Sequence, residues 1–326
     1  MPRIAIVHTL RHLTPNLELV SPSQIELMKL ALQKDDWQVA TIEYAPESIE
    51  EDLAQMAPHL VFHVAYGYVD QARRITETQA QIAARFERLG INHVGSLAMA
   101  QTRAQDKLAA GEQLSSVGIA VPRLVPTQAD EPRAVVLKPR RGGCHRGVHV
   151  VRLAAGASAQ VPSDEEYLLQ EYIDGAEFTV GVLEEAGRLV VLPPVEVRFD
   201  CPEHFPHVMV WEQYPWSYHF DSGRGLGLEK VAARAFQALE LRDYARFDIR
   251  IDPIRGPVLL DANSLPNLDP QLSLLPAAAQ HTGRNYATLI TEMARAAHRR
   301  CKGQTEQVAQ PIANAPVSDE GGPISS

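Results

Sequence analysis

The sequence predicts an α/β (α+β) chain in which an open, mostly parallel α/β subdomain precedes antiparallel sheets, and three observations predict it. Strand-length apolar runs alternate with helical periodicity through the first hundred residues. From about Lys107 the strands become short and are separated by turn residues. Hydrophobic residues make up 45% of 326, enough apolar surface for two or three packed units and too much for a disordered chain.

Arg3–His8 reads as a strand, Ser23–Lys34 as a helix and Trp37–Ile42 as the next strand. Ser48–Ala57 and Leu60–Val64 repeat the unit, with Ser48 placed as an N-cap and Glu51 completing a capping box. Thr76–Leu89 follows as a helix stopped by Gly90. Such β-α-β alternation implies parallel pairing. Lys107–Val117 reads as a helix, and the strands Val135–Leu137, His149–Arg152, Tyr167–Tyr172 and Thr179–Leu183 imply an antiparallel sheet. Beyond them, Val195–Arg198, Ala245–Ile251 and Val258–Asn263 are strands, and Leu228–Leu239 and Asn285–Arg300 amphipathic helices. Asp200–Gly227 shows little periodicity, and a loop of that length in a compact domain is usually functional or mobile. The expected units are residues 1–100, a central unit 101–184, a C-terminal unit 185–301, and a disordered tail 302–326 of Gln, Pro, Ser, Gly and Ala.

Charge and cysteine usage narrow the partners. With 31 basic and 40 acidic residues the net charge is −9, which argues against nucleic acid or an anionic membrane as the main partner. Runs such as Val190–Leu192 fall far short of the roughly 20 residues a membrane helix needs. The N-terminal Met-Pro-Arg-Ile-Ala-Ile-Val lacks the features of a signal peptide, and Cys144, Cys201 and Cys301 form no paired framework. A reducing cytoplasm is the expected compartment.

Three constellations carry chemistry. In Val136-Leu137-Lys138-Pro139-Arg140-Arg141-Gly142-Gly143-Cys144-His145-Arg146-Gly147-Val148 a strand delivers a lysine to a glycine-rich loop. Glycines let backbone N–H groups approach phosphate oxygens, and the lysine adds a point charge, although the same pattern also makes a simple turn. In Arg246-Phe247-Asp248-Ile249-Arg250 and Leu259-Leu260-Asp261-Ala262-Asn263, period-2 geometry puts Arg246, Asp248 and Arg250 on one face, and Asp261 and Asn263 on one face. A hairpin turn at Asp252–Gly256 would converge two carboxylates and an amide, a hard-oxygen set suited to magnesium or, alternatively, a pair of solvated positions. Leu168 to Val180, with Glu171, Asp174 and Glu177, reads by itself as an exposed hairpin.

In this order and spacing the three resemble the ATP-grasp superfamily, most closely its D-alanine–D-alanine ligase branch. Gly90-Ile91-Asn92-His93-Val94-Gly95-Ser96, Asp106-Lys107-Leu108 and Gly118-Ile119-Ala120-Val121-Pro122 extend the likeness over roughly residues 60–300. The resemblance implies the ATP-grasp fold, ATP with Mg2+ (Mn2+ being possible), amino-acid or carboxylic-acid substrates and a homodimer. It implies that Lys107 and Lys138 contact ATP phosphates and that Gly142, Gly143, Cys144 and Gly147 belong to the loop closing over them. Gln170, Glu171 and Ile173 fall where the family holds adenine, and Glu177 where it binds ribose. Asp248, Asp261 and Asn263 match the metal ligands, Asp261 replacing a glutamate. Arg246 matches the arginine that steadies the transferred phosphoryl group, and Ser273 a serine that holds the acceptor carboxylate.

Departures gather on the amino-acid side. The family's Ser-Ser is Cys144-His145 here, and its Asn-Thr-x-Pro-Gly is Asn263-Ser264-Leu265-Pro266-Asn267. Its His-Gly-x-x-Gly-Glu-Asp-Gly is reduced to His63-Val64-Ala65-Tyr66-Gly67-Tyr68-Val69-Asp70, and Ser273 is displaced by one residue. Glu18 is the nearest counterpart of the donor-ammonium glutamate, and the segment from Trp211 to His219 has no lid lysine. The expectation is a carboxylate–amine ligase with an altered substrate. A true D-alanine–D-alanine ligase and a non-catalytic ATP-binding module are the alternatives.

Overall fold

The computed structural model describes residues 1–9, 20–69, 75–143, 147–162, 166–200, 216–220 and 222–309, with the backbone alone for 302–309. The N-terminal unit comprises β1 (Arg3–His8), α1 (Pro22–Lys34), β2 (Gln38–Glu43), α2 (Ile49–Met56) and β3 (Leu60–Val64). A small antiparallel ribbon of β4 (Gly67–Val69) and β5 (Ile75–Thr78) follows, then α3 (Gln79–Arg88) and β6 (His93–Val94). The parallel sheet has the order β2-β1-β3-β6, so β1 and β3 are flanked on both sides and almost wholly buried, whereas edge strand β2 is largely exposed. Ser21 caps α1 by accepting from the Gln24 N–H at 3.1 Å, and Pro22 sits at its first turn.

Two expected features of this unit differ. Thr76 to Thr78 are strand, because β5 pairs with β4, and the helix starts only at Gln79. The capping box lies at Thr78 and Gln81; Ser48 stands at the N-cap of α2 with a right-handed helical backbone and no side-chain cap bond. An N-cap hydroxyl reaches the N3 amide from an extended backbone, which Thr78 has and Ser48 lacks.

After α4 (Ala98–Gln105) and α5 (Lys107–Ser116), the strands β7 (Arg133–Pro139), β8 (His149–Leu153) and β9 (Tyr167–Glu171) form an antiparallel sheet of order β8-β7-β9. The larger C-terminal sheet holds β10 (Glu177–Glu185), β11 (Arg188–Val191), β12 (Val195–Phe199), β13 (Trp216–His219), β14 (Tyr244–Asp252) and β15 (Gly256–Asn263). Its main path is β13-β12-β10-β14-β15, with β11 also on β10. Because β10 pairs with β12 and β14, its hydrogen bonds lie in this sheet rather than with β7–β9. Helices α6 (Leu228–Ala238), α7 (Leu274–His281) and α8 (Tyr286–Ala309) complete the chain.

Packing ties the units together. Leu228, Ala232, Ala235 and Phe236 of α6 bury against Phe178, Val180, Phe247 and Leu259. Leu289, Ile290, Met293 and Ala297 of α8 return to cover Ile4, Ile6 and Phe62 on the N-terminal sheet. A buried ionic knot fixes the two sheets: Asp243 accepts from Gly95 N–H at 2.7 Å and from Arg300 at 3.0 Å, while Arg242 donates to the carbonyls of Gly95 and His93. The α8 backbone runs eight residues past the expected start of the disordered tail, since Lys302, Gln304, Glu306 and Gln307 are good helix formers and the first proline is Pro311. Residues 310–326 lie outside the described residues. No helix among the described residues is long and apolar enough to cross a membrane.

Candidate active site

A cavity of about 780 Å³ is lined by Tyr66 and Gln79, by Lys107 of α5 and Lys138 of β7, and by Asp248 of β14 and Asp261 of β15. Sequence elements deliver each group. Asp106 caps α5 through Ala109 N–H at 3.2 Å and is gripped by Arg140 at 2.8 Å, which places Lys107 at the first position of the helix. Lys107 Nζ donates to the Gly142 carbonyl at 2.7 Å. Lys138, near the end of β7, is buried and donates to the Leu260 carbonyl at 3.2 Å. Burial, helped by the neighbouring Lys107 and opposed by Asp261, pushes its ammonium down to about 8.

Gly142, Gly143 and Gly147 line the same end. Gly147 has φ +68°, and a Cβ there would stand 2.8 Å from both Pro139 Cγ and Tyr167 Oη, so any other residue is strained and has to displace them. Cys144, His145 and Arg146 lie outside the described residues.

The hairpin expected at Asp252–Gly256 forms, with Asp252 accepting from the N–H groups of Ile254 and Arg255 at 2.9 Å. It makes Asp248 and Asp261 direct cross-strand partners and sets Arg246 opposite Asn263. Asp248 accepts from Thr179 Oγ1 at 2.7 Å and from Arg246 Nε at 3.2 Å. Asn263 Oδ1 accepts from Leu265 N–H at 3.1 Å, which orients the amide and leaves a second lone pair. Like charges as direct neighbours repel, and a hard divalent cation between two carboxylates and an amide oxygen relieves that repulsion, so this set fits magnesium. Among the described residues, no group of three or more His, Cys, Asp or Glu side chains that could hold a metal ion is present.

At the far end, Gln170 is buried and its amide donates to the Pro122 carbonyl at 3.4 Å. Glu171 accepts from Arg123 N–H at 2.9 Å and from Arg255 at 2.7 Å. The Ile173 carbonyl accepts from Arg250 at 3.0 Å, and Glu177 pairs with Arg250 Nε at 2.8 Å. Arg250, which the sequence places only as a face position, lines the cavity. Its buried pairing with Glu177, 73 residues away, leaves no local signal.

Ser273 is not brought into this group. It stands at the N-cap position of α7 without a side-chain cap bond, its hydroxyl donates to the Asn267 carbonyl, and it is absent from the residues lining the cavity. His63 is fully enclosed, held down to about 3 by burial and by His93, and its ring bonds the Gln79 carbonyl at 3.2 Å. It buttresses a cavity-lining residue as a neutral imidazole. Burial likewise pushes His8 down to about 4. Trp216 packs against the large core, a packing role rather than that of an exposed lid; His12, Glu18, Asp70, Trp211 and Tyr214 lie outside the described residues.

Comparison with known proteins bears on this geometry. The family described as D-ala D-ala ligase C-terminus matches residues 132–295. The chain is 30% identical over 264 residues to the uncharacterized protein y4sG of Sinorhizobium fredii, covering 75% of this chain and 76% of that protein. It is 29% identical over 300 residues to the D-alanine–D-alanine ligase of Granulibacter bethesdensis, covering 85% and 92%. The fold superposes on the crystal structure of D-alanine–D-alanine ligase from Bacillus anthracis with a TM-score of 0.66 at 19% identity, covering 93% of this chain and 100% of that one. The chain therefore belongs to the D-alanine–D-alanine ligase family and has its ATP-grasp fold.

Proposed function

We propose that the protein is an ATP-dependent carboxylate–amine ligase, joining small amino acids or related acids through an acyl phosphate with ADP and phosphate as products. One observation supports this most: two lysines, a glycine-rich loop and an opposed Asp248–Asp261 pair share a single cavity with Arg246. Lys107, Lys138 and the backbone of Gly142, Gly143 and Gly147 would hold the phosphates, with Gln170, Glu171, Ile173 and Glu177 around the nucleoside. Cys144 belongs to the same loop in sequence. Asp248, Asp261 and Asn263 would hold Mg2+, or Mn2+ in its place, and the cation supplies charge neutralisation between the phosphoryl oxygens.

In the reaction, a substrate carboxylate oxygen attacks the γ-phosphorus and the bond to ADP breaks. Lys138 and Lys107 spread the developing charge, and Arg246 steadies the phosphoryl group in flight. The second substrate's amine then attacks the acyl carbon, Arg246 faces the oxyanion, the amine loses its proton and phosphate leaves. Exclusion of water from the cavity once the substrates are bound would protect the mixed anhydride. A non-catalytic module has no need of such an arginine, which favours turnover.

The substrate differs from two molecules of D-alanine in this reading. Tyr66, Thr78, Gln79 and Ser264 line the substrate end with neutral groups, and Ser273 is spent elsewhere. Cell-wall ligation remains the second reading because a relative covered over 92% of its length carries that name. A cytoplasmic homodimer completes the proposal, which sedimentation measures. Calorimetric titration of ATP with Mg2+ tests the assignment: Lys138→Ala should weaken binding by about 1.5–3 kcal/mol, the worth of hydrogen bonds to charged groups. Equal affinity in the variant would refute it.

A further inference from the structure

Arg250 stands directly across from Glu177 in the β10–β14 register, and both side chains line the cavity while being almost fully buried. Two guanidinium nitrogens grip the same carboxylate oxygen: Nε lies 2.8 Å and Nη2 2.7 Å from Glu177 Oε2. The third, Nη1, donates to the Ile173 carbonyl at 3.0 Å, and the guanidinium carbon sits 5.1 Å from the centre of the Tyr172 ring. The backbone between is equally fixed. Ile251 N–H donates to the Ala176 carbonyl at 3.0 Å, and a Cβ on Gly175 would fall 1.9 Å from the Ile251 carbonyl oxygen. Glu177 Oε1 has no hydrogen-bond partner among the described residues.

We propose that Arg250 is a positioning residue that makes the nucleoside end selective for ribose: by holding Oε2 it fixes Oε1 as a single acceptor, aimed to take a hydrogen bond from one ribose hydroxyl. A carboxylate oxygen accepts and never donates, so its partner has to be a donor such as a sugar hydroxyl. A carboxylate free to rotate would adapt to a missing hydroxyl by turning toward water or another donor. One clamped from behind by a planar two-point contact is left with an unmet acceptor, and that is how a polar site rejects an analogue lacking a group. The inference rests on the ATP reading and adds to it how the sugar is read.

The test is calorimetric titration of the full chain, with Mg2+, using ATP, 2′-deoxy-ATP and 3′-deoxy-ATP. One of the two deoxy nucleotides should bind on the order of 10- to 100-fold more weakly than ATP, the worth of one hydrogen bond to a charged acceptor. Arg250→Lys keeps the charge but loses the fork, and should shrink that ratio to a few-fold while ATP still binds. Arg250→Met should abolish the ratio. Because that variant leaves a buried carboxylate unpaired and can fail to fold, Arg250→Lys carries the decision. Equal binding of all three nucleotides by the wild type overturns the proposal, as does an unchanged ratio in Arg250→Lys accompanied by a lowered melting temperature, the mark of a purely structural pair. If Lys138→Ala weakens ATP while no deoxy discrimination exists, the ATP reading stands and this inference alone falls. If the wild type binds no ATP, both fall.

Discussion

Asp248 on β14 and Asp261 on β15 face each other as direct cross-strand partners, and the strand register slips immediately after Asp248. As direct cross-strand partners the two carboxylates share one face of the hairpin and both line the cavity, where their like charges repel. This relationship yields the first prediction. Asp261→Asn and Asp248→Asn should each lower turnover by roughly 100-fold or more, beyond the 10–100-fold that even outer partners of a metal ligand are worth. Without metal, the Asp261→Asn melt should be no lower than wild type, because a like-charge contact has gone. Added Mg2+ should raise the melting temperature of the wild type and not of the variant. Undiminished phosphate release in both variants would disprove the metal assignment.

Lys138 gives a pH prediction. Its ammonium is pushed down to about 8 by burial, so the positive charge that meets phosphate is present below that pH and lost above it. Affinity for ATP should fall as pH rises from 7 to 9, whereas an unshifted lysine would hold it to about pH 10. Lys138→Arg, charged throughout, should flatten the profile. The same shift makes the unfolded chain bind more protons than the folded one between about 8 and 10.4, so its contribution to stability rises with pH across that window. Equal wild-type affinity at both pH values would contradict this account of Lys138.

Ser273 separates structure from resemblance. Its hydroxyl is committed to the Asn267 carbonyl at the start of α7. Ser273→Ala should therefore cost about 1 kcal/mol in a thermal or urea melt and leave KM for the amino substrates within about twofold. A tenfold rise in KM without loss of stability would restore a substrate-binding role.

Glycine 147 tests the loop. With φ +68° and no room for a Cβ, Gly147→Ala should destabilise by about 1–3 kcal/mol and weaken ATP, read by melting and calorimetry. An unaltered melt would show that the loop does not need this backbone.

Local pattern made much of this legible. β1, β3 and the hairpin of β14 and β15 announce themselves through apolar runs, alternation and turn residues, and the lysine and carboxylate positions follow from them. Elsewhere, long-range pairing decided the outcome. Thr76–Thr78 looks helical until the partner strand β4 claims it, and Leu274–His281 hides its helix behind Pro276 and an alanine run without polar alternation. Arg250 with Glu177, and Arg300 with Asp243, join residues 73 and 57 positions apart, a distance at which spacing carries no signal. Ser273 comes from a motif match one residue out of register, and its hydroxyl donates to the Asn267 carbonyl, a loop bond that the spacing does not announce.

The substrate prediction is that D-alanine alone is a poor substrate. The phosphate-side groups converge, whereas the serine pair is Cys144-His145 and Ser273 is withdrawn from the cavity. Phosphate release measured across L- and D-amino acids and small carboxylic acids should find a better pair. Turnover with D-alanine on the order of 10 per second would return the protein to cell-wall ligation.

The most direct measurement of the central claim uses the best pair from that panel with its carboxylate labelled with oxygen-18, and mass spectrometry of the phosphate released. Attack of the carboxylate on the γ-phosphorus carries one labelled oxygen into each phosphate, and this is the result the account predicts. Phosphate free of the label, its fourth oxygen coming from water, would mean that no acyl phosphate forms and that the chain hydrolyses ATP or does something else with it.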